Sequence, residues 1–192
     1  MNEDKAYHAA MYQQNSHKVA VQHLSKLIDS SPWSVKYLEA RADCYEHMGM
    51  YDDAILDLRP TTKLINDNTQ AWYKISTLHY RQGEIERSLE TIRECLKLDQ
   101  VRNWNFLFLI RLFKDHKTCK DHYKKVKKLN KYLVNANNEA TETKWNAAFE
   151  SLDSAQTANK DNIHAVNSEI AQLKCRGAAY MQQTENIDYC NK

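Results

Sequence analysis

The sequence has very little glycine and proline, with 3 and 2 of them in 192 residues. Because these two residues mark turns most strongly, their scarcity argues for helices throughout the chain. The most apolar run, from Phe106 to Ile110, is far shorter than the roughly 20 residues that span a bilayer. The N-terminus begins with neither a basic nor an apolar region, so we expect no signal peptide on this sequence.

Neither sign of charge dominates, since 27 Lys and Arg face 25 Asp and Glu for a formal net charge of +2. This balance predicts neither nucleic acid nor a membrane as a partner. Five cysteines are too few for a disulfide-scaffold protein and do not determine the cellular compartment. Serine, histidine and carboxylates are scattered without a nucleophile–base pair or a phosphate-binding loop, so we expect neither an enzyme nor a cofactor.

A repeat of 34 residues is the clearest pattern that the sequence does contain. Gly49 and Gly83 are separated by this interval. The same interval separates further pairs: Leu38 and Trp72, Ala42 and Ser76, Ala54 and Ser88, Leu58 and Ile92, Leu64 and Leu98. A period of 34 built on small and large apolar positions is typical of the tetratricopeptide repeat, a helical hairpin that stacks into a solenoid. The sequence therefore predicts an all-α superhelical solenoid of about four and a half such repeats, which is a surface for holding other proteins.

The repeats divide the chain into six predicted segments. Small residues at positions 8 and 20 of a repeat let its two helices approach, and glycine at position 15 allows the tight turn between them. Thr143 stands where the fourth repeat would have this glycine. The segments are a degenerate repeat (1–34), two regular repeats (35–68 and 69–100), an apolar insertion (101–114), a repeat with an extended first helix (115–162) and a partial repeat (163–192).

One stretch resembles a particular family. The segment NDNTQAWYKISTLHYRQGEIERSLETIRECLKLDQ, followed by DHKTC and HYKKVKKLNK, closely resembles the DnaJ homologue subfamily C member three family. Its members are lumenal Hsp70 co-chaperones with tetratricopeptide repeats and a C-terminal J domain, and are also known as inhibitors of the interferon-induced protein kinase. The resemblance covers residues 11–190 and is strongest over residues 58–131. It implies a module of the endoplasmic reticulum that holds misfolded proteins and takes part in the unfolded protein response.

The resemblance also implies partners. They are unfolded or misfolded clients, lumenal Hsp70 reached only through a J domain, and a kinase of translation initiation factor two alpha. The sequence has no His-Pro-Asp triplet, with which a J domain stimulates Hsp70, because its prolines are Pro32 and Pro60. We therefore expect no such stimulation from this chain alone. The alternative is a repeat-only regulator that binds a kinase or another partner without handling clients, with the cytoplasm as the alternative location.

Two disulfides are implied by the same resemblance, Cys95–Cys119 and Cys175–Cys190, whereas Cys44 corresponds to an unpaired core position. The insertion lengthens the loop between Cys95 and Cys119, so the sequence leaves open whether that bond forms. Cys175 and Cys190 lie within reach of each other across a helical hairpin if their Cα atoms come within about 7 Å.

Residues 101–114 (VRNWNFLFLIRLFK) fall between two otherwise continuous family segments. If a stretch as apolar as this were exposed, it would be an aggregation hazard or a binding site. Three interpretations stay open: a translated intron or gene-model error, which we favour, an extra packed helix, and an element that contacts clients or a membrane.

The first helices of the repeats are expected to line the concave groove where such solenoids meet partners. Our hypothesis places Tyr37, Arg41, Tyr73 and Lys74 in that groove. A clamp of Lys and Asn at helix positions 5 and 9, which binds chaperone C-termini in related repeats, is not supported. In the fourth repeat, for example, these positions hold Leu133 and Asn137.

Two further patterns have a functional and a plain interpretation. His116, Cys119 and His122 have a spacing that lines one helix face, but zinc prefers four ligands and no fourth is near, so we expect no metal site. A run of lysines is the second pattern, and it is either a contact for phosphate or an acidic partner or, as we favour, a solvated helix face. It consists of Lys114, Lys117, Lys120, Lys124, Lys125, Lys127, Lys128 and Lys131.

Overall fold

The computed structural model describes residues 17–105, 115–181 and 190. Within these ranges the chain forms eight helices and no strand, so the predicted all-α fold is confirmed. The helices are α1 (His17–Ser30), α2 (Val35–His47), α3 (Tyr51–Leu64), α4 (Thr69–Gln82), α5 (Ile85–Asn105), α6 (Asp115–Thr141), α7 (Trp145–Ala158) and α8 (His164–Tyr180). Each helix packs on the next along the chain, which gives the predicted stack of hairpins. Nowhere in the described ranges does a helix have the length and apolar character needed to cross a membrane.

The 34-residue period appears directly in the helix boundaries. Helices α2 and α4 begin at Val35 and Thr69, and their partners α3 and α5 begin at Tyr51 and Ile85. Helix α4 starts where it does because the Asn68 side chain accepts a hydrogen bond from the Ala71 amide at 3.0 Å. Such an N-cap satisfies one of the free donors at a helix start. The two regular hairpins therefore follow the register that the sequence predicts.

The turns of these two hairpins need glycine for their backbone conformation. Gly49 and Gly83 have φ of 74° and 83°, the left-handed region that L side chains rarely adopt. At Gly83 a Cβ atom would also lie 2.6 Å from the Cβ of Ala165, so the approach of α8 excludes a side chain there. Thr143 keeps the same left-handed turn between α6 and α7 with φ of 58°, although a β-branched residue is strained in this region. The departure from glycine therefore leaves the turn type unchanged.

Small residues close the contact between the helices of each hairpin. Ala42 and Ala54 are buried between α2 and α3. Ser76 and Ser88 occupy the same positions between α4 and α5, and each donates a hydrogen bond to the other's carbonyl, at 2.7 and 2.8 Å. Between hairpins the same holds, since a Cβ atom at Gly177 of α8 would lie 2.6 Å from the Trp145 ring of α7. The requirement shared by these positions is small volume, because the helices approach closely there.

Helix α6 is 27 residues long; it forms a hairpin with α7 and packs on α5 of the preceding hairpin. Its buried side chains lie on one face, and most of them pack into the main core with residues of α4, α5, α7 and α8. Those in the main core are Cys119, Val126, Leu129, Leu133 and Ala136. His122 is buried beside Ser76, and Ala140 packs with Trp145 and Ala148 of α7. Because α6 begins at Asp115, it extends the first helix of the fourth repeat well before Leu129.

Two sequence predictions fall partly beyond the described residues. Helix α5 continues to Asn105, so the first five residues of the predicted insertion are helical. Residues 106–114 lie outside the described residues, and the three interpretations of the insertion remain predictions. The first helix of the degenerate repeat also lies outside them, whereas α1 supplies its second helix with Ala20, Leu24 and Leu27 buried.

Candidate protein-binding surface

Tyr37, one of the predicted groove residues, lies in the core. Its exposed fraction is 6%, and it packs with Leu24 and Leu27 of α1 and with Cys44 of its own helix. The prediction that Tyr37 faces the groove is therefore corrected, because α1 covers this side of α2. Burial raises the pKa of the Cys44 thiol, and the charge of Asp43 raises it further.

Arg41, the second predicted groove residue, binds other helices of the chain. Its Nε and Nη2 atoms each lie 2.7 Å from one carboxylate oxygen of Asp57 in α3, and its Nη1 donates to the Ser25 hydroxyl of α1 at 3.0 Å. The hydrogen bond to Asp57 is the main cause that raises the pKa of the guanidinium. Such a two-pronged pair fixes geometry as well as charge. Arg41 therefore joins three helices and is not a free contact for a partner.

Tyr73 and Lys74, the other two predicted groove residues, are only partly buried. The Tyr73 ring meets the His122 ring edge-on, with centroids 5.6 Å apart. The Lys74 Nζ lies 2.6 Å from the Asp43 carboxylate, so this pair bridges α4 and α2. Its two side chains are 27% and 50% exposed and remain accessible to a partner. A role of Tyr73 and Lys74 in partner binding stays a prediction.

A cleft of about 300 Å³ lies between the α4–α5 turn, α6 and α8. Its apolar lining comes from Ile85, Leu133 and Val134, and it also contains amides, carboxylates and one guanidinium. The polar residues are Glu84, Glu86, Arg87, Asn130, Asn137 and Glu169. This cleft was not predicted from the sequence, although Leu133 and Asn137 in its wall stand at positions 5 and 9 of the fourth repeat. In the sequence, only the position of these two residues on one helix pointed to the cleft, because its other walls come from distant parts of the chain.

Local hydrogen bonds and one contact between α6 and α8 hold several polar groups of the cleft in place. Glu84 accepts from Arg87 Nη1 at 2.6 Å, and its other oxygen lies 2.6 Å from His79 Nδ1. Asn137 Nδ2 donates to the Leu133 carbonyl at 3.1 Å and to Glu169 of α8 at 3.5 Å. With three carboxylates and one guanidinium, the cleft is acidic overall. An acidic lining disfavours a partner that presents a carboxylate there.

A buried histidine lies behind Tyr73. His122 Nε2 is 3.1 Å from the Ser76 hydroxyl, and the Tyr80 ring meets the imidazole edge-on at 5.5 Å. Burial, followed by the charge of Lys125, lowers the pKa of His122 to about 4. The imidazole is therefore neutral at neutral pH and serves the core rather than the surface. An ion pair with Lys125 is the main cause that lowers the pKa of Asp161.

Both predicted cysteine pairs lie at bonding distance in the structure. The Cys95 and Cys119 sulfurs are 2.07 Å apart and join α5 to α6, while those of Cys175 and Cys190 are 2.09 Å apart. Cys44 is buried and free, as the family position suggests. Helix α6 brings Cys119 back to α5, so the longer loop does not separate the first pair. Oxidation of these pairs in the cell remains part of our proposal below.

Two of the three residues with metal-ligand spacing have other partners in the structure. Cys119 is joined to Cys95 and His122 points to Ser76, while the His116 side chain lies outside the described residues. Across the described ranges, no three His, Cys, Asp or Glu side chains are grouped to hold a metal ion.

Comparison with known proteins agrees with the helical hairpins. The sequence profile of the tetratricopeptide repeat matches residues 69–101. With the stacked hairpins described above, this match defines the chain as a tetratricopeptide-repeat solenoid.

The closer relationship is to one family of such proteins. The chain is 35% identical over 182 residues to DnaJ homolog subfamily C member 3 of Gallus gallus, covering 94% of this chain and 33% of the relative. The Homo sapiens protein is 45% identical over 117 residues, covering 61% and 20%. The crystal structure of the P58(IPK) TPR domain matches with a TM-score of 0.85 and 31% identity, covering 98% of this chain and 49% of that one. The chain thus belongs with the DnaJ homolog subfamily C member 3 family, and it spans between a fifth and a third of these curated relatives.

Proposed function

We propose that this chain is the protein-binding repeat module of a co-chaperone of the endoplasmic reticulum lumen that holds misfolded proteins. One observation carries the proposal: 98% of the chain superposes on half of the P58(IPK) TPR domain at a TM-score of 0.85 and 31% identity. At this identity the likeness extends beyond the shared fold, and the curated relatives are DnaJ homologues.

The described surface supports the binding of another protein over an extended area. A solenoid offers a long surface because each hairpin touches only its neighbours. Tyr73 and Lys74 give that surface an aromatic and a charged group on the first helix of a repeat, held by His122 and Asp43. Half-buried aromatic side chains are favoured in binding surfaces because they contribute large area at low conformational cost.

The first experiment is an aggregation assay with a heat-denatured model substrate. We expect the chain to suppress aggregation, and the variant Tyr73→Ala with Lys74→Ala to be several-fold weaker while its helicity is unchanged. The control variant Tyr180→Ala with Lys160→Ala changes the same residue types at exposed positions near the other end. Unchanged suppression by the Tyr73 and Lys74 variant would place client binding away from α4, and equal loss in both variants would mean that the effect is not specific to α4. No suppression by the intact chain would remove client holding altogether.

The second candidate is a regulator that binds a kinase of translation initiation factor two alpha without handling clients. It is favoured by the match to P58(IPK) itself. The aggregation assay separates the two, because a pure regulator leaves the denatured substrate to aggregate while it still binds the kinase in a pull-down.

A lumenal location predicts oxidised cysteines. Closing the 15-residue separation between Cys175 and Cys190 is worth roughly 3 kcal/mol in the chain-entropy account. Protein from an oxidising compartment should resist alkylation at these two cysteines and at Cys95 and Cys119 until a reductant is added. Alkylation of all four before reduction would argue for the cytoplasm.

A further inference from the structure

One face of α6 carries a row of exposed lysines, which we call the lysine row. It consists of Lys117, Lys120, Lys124, Lys127, Lys128 and Lys131. At 3.6 residues per turn these positions fall within a band of about 100° opposite the buried face of the helix, and they span about 21 Å. The row is therefore continuous along four turns of a rigid element.

The amines of the lysine row differ from many other cations of the described chain in having no carboxylate partner there. Among the described residues none of its six amines forms an ion pair with a carboxylate, and the Lys127 amine lies 5.4 Å from the Tyr123 ring centroid. Lys125 lies outside the row because of its position around the helix, and it pairs with Asp161 of the α7–α8 turn. Many other cations of the described chain have acidic partners. Examples are Arg41 with Asp57, Lys74 with Asp43, Arg81 with Glu46, Lys97 with Glu94, Lys144 with Glu142 and Lys174 with Asp153.

The need to keep this face of α6 soluble does not by itself explain why the charges of the row are all positive. Lysines three or four residues apart repel each other on a helix, and the row contains several such pairs, from Lys117 and Lys120 to Lys127 and Lys131. A face of mixed sign would be equally soluble without this repulsion. An acidic ligand would remove the repulsion and release the row's counterions.

We propose that the lysine row is a docking site for an acidic polypeptide segment. The row is narrow, and carboxylates flank it on both sides. Asp121 and Asp161 lie towards Lys125, and the acidic cleft with Val134 and Asn137 lies on the adjoining face of α6. A planar anionic membrane would meet these carboxylates together with the lysines, whereas a single extended strand meets the lysines alone. About six or seven extended residues span the row.

The chemistry of the row also favours carboxylates over nucleic acid. It contains lysine and no arginine, and the Tyr123 ring that the row contacts is half-buried and lies under the Lys127 amine, so it is poorly placed for a base to stack on. The row lies on the face of α6 opposite the core, away from Tyr73 and Lys74 of α4. This docking site is therefore additional to the proposed client surface and stands or falls independently of it.

The test is fluorescence anisotropy with a labelled oligoglutamate peptide of about eight residues. The full chain should bind it, and added salt should weaken binding. Replacing Lys120, Lys124, Lys127 and Lys131 by Gln should weaken it by about tenfold or more, since four exposed charge pairs, each of small effect, are lost together. The matched control replaces four exposed lysines elsewhere by Gln and should stay within about twofold of the unchanged chain. These are Lys18, Lys26, Lys63 and Lys160.

Three results would overturn the proposal. They are the absence of peptide binding at low salt, equal weakening in both four-site variants, and tighter binding of phosphatidylserine vesicles or single-stranded RNA than of the peptide. If the variant on α6 loses helicity, the pairs Lys120→Gln with Lys124→Gln and Lys127→Gln with Lys131→Gln replace it. Each pair should weaken binding about threefold, and unchanged affinity in either pair would again contradict the docking site.

Discussion

The hairpins α2–α3 and α4–α5 follow the same 34-residue register but complete their cores in different ways. In the first, Ala42 and Ala54 bring the helices together through an apolar contact. In the second, Ser76 and Ser88 occupy the same positions and bond to each other, and His122 of α6 reaches Ser76. The repeat therefore specifies a volume at these positions, while the neighbouring helix determines whether a polar group there finds a partner.

The same two hairpins are also tied to their neighbours by different bonds. Arg41 joins α2 to α3 and α1 through Asp57 and Ser25. Cys95 of α5 is joined instead to Cys119 of α6. The α2–α3 hairpin thus depends on the Arg41–Asp57 ion pair. The α4–α5 hairpin depends on the Cys95–Cys119 pair and on the neutral His122. This difference predicts that each hairpin responds to a different perturbation.

The largest expected effect is on the α2–α3 hairpin. Arg41→Ala leaves the Asp57 carboxylate, whose side chain is 8% exposed, without its partner. We expect a loss of about 3 kcal/mol in the free energy of unfolding, because an uncompensated buried charge is costly. Urea unfolding followed by circular dichroism measures it. Arg81→Ala is the control, since the Arg81–Glu46 pair is more exposed and its loss should cost less than about 1 kcal/mol.

Acid should weaken the α4–α5 hairpin through His122. The pKa of His122 is lowered to about 4 in the folded chain, so the unfolded chain binds the proton first as the pH falls. Its contribution to stability is complete above about pH 6.5 and declines towards pH 4, by about 2 kcal/mol at pH 5. Urea unfolding at pH 8 and pH 5 measures this decline. A His122→Gln variant with the same decline would assign the pH dependence to other groups.

Exchanging the small residues tests the comparison itself. Ser76→Ala leaves His122 Nε2 without its hydroxyl partner, and we expect it to cost about 1.5 kcal/mol. Ala42→Ser places a hydroxyl in the apolar contact, where it can bond back to its own helix, and should cost less than about 1 kcal/mol. Thermal and urea unfolding of both variants gives the ranking. The reverse order would mean that volume, rather than the His122 contact, dominates at position 8.

The smallest effect is expected at the turn that departs from glycine. Thr143 has φ of 58°, so Thr143→Gly should remove backbone strain and stabilise the chain by roughly 0.5–1 kcal/mol. Gly49→Thr, with φ of 74° and open space around it, should lose a similar amount. A destabilised Thr143→Gly variant would show that the Thr143 side chain contributes more than its backbone costs.

The sequence predicted the hairpins closely and their surfaces poorly. The starts of α2, α3, α4 and α5 agree with the repeat because caps, turns and small residues act within one hairpin. Tyr37 was misplaced because the helix position alone does not show that α1 covers it, and it does not show either that Asp57 holds Arg41, whose place in the groove stays a prediction. The cleft was missed because its walls come from three parts of the chain.

By itself the sequence determined the 34-residue period, the starts of α2 to α5 and the family, because the first two depend on contacts within one hairpin and the third on residue identities. Only the tertiary structure decided which polar groups are paired. Ser76 and His122 are 46 residues apart, and Lys125 and Asp161 are 36 apart. Their meeting depends on how each hairpin is rotated against the next, which the spacing of residues within a repeat does not specify. The same rotation leaves the lysine row exposed and without carboxylate partners among the residues that the structure describes.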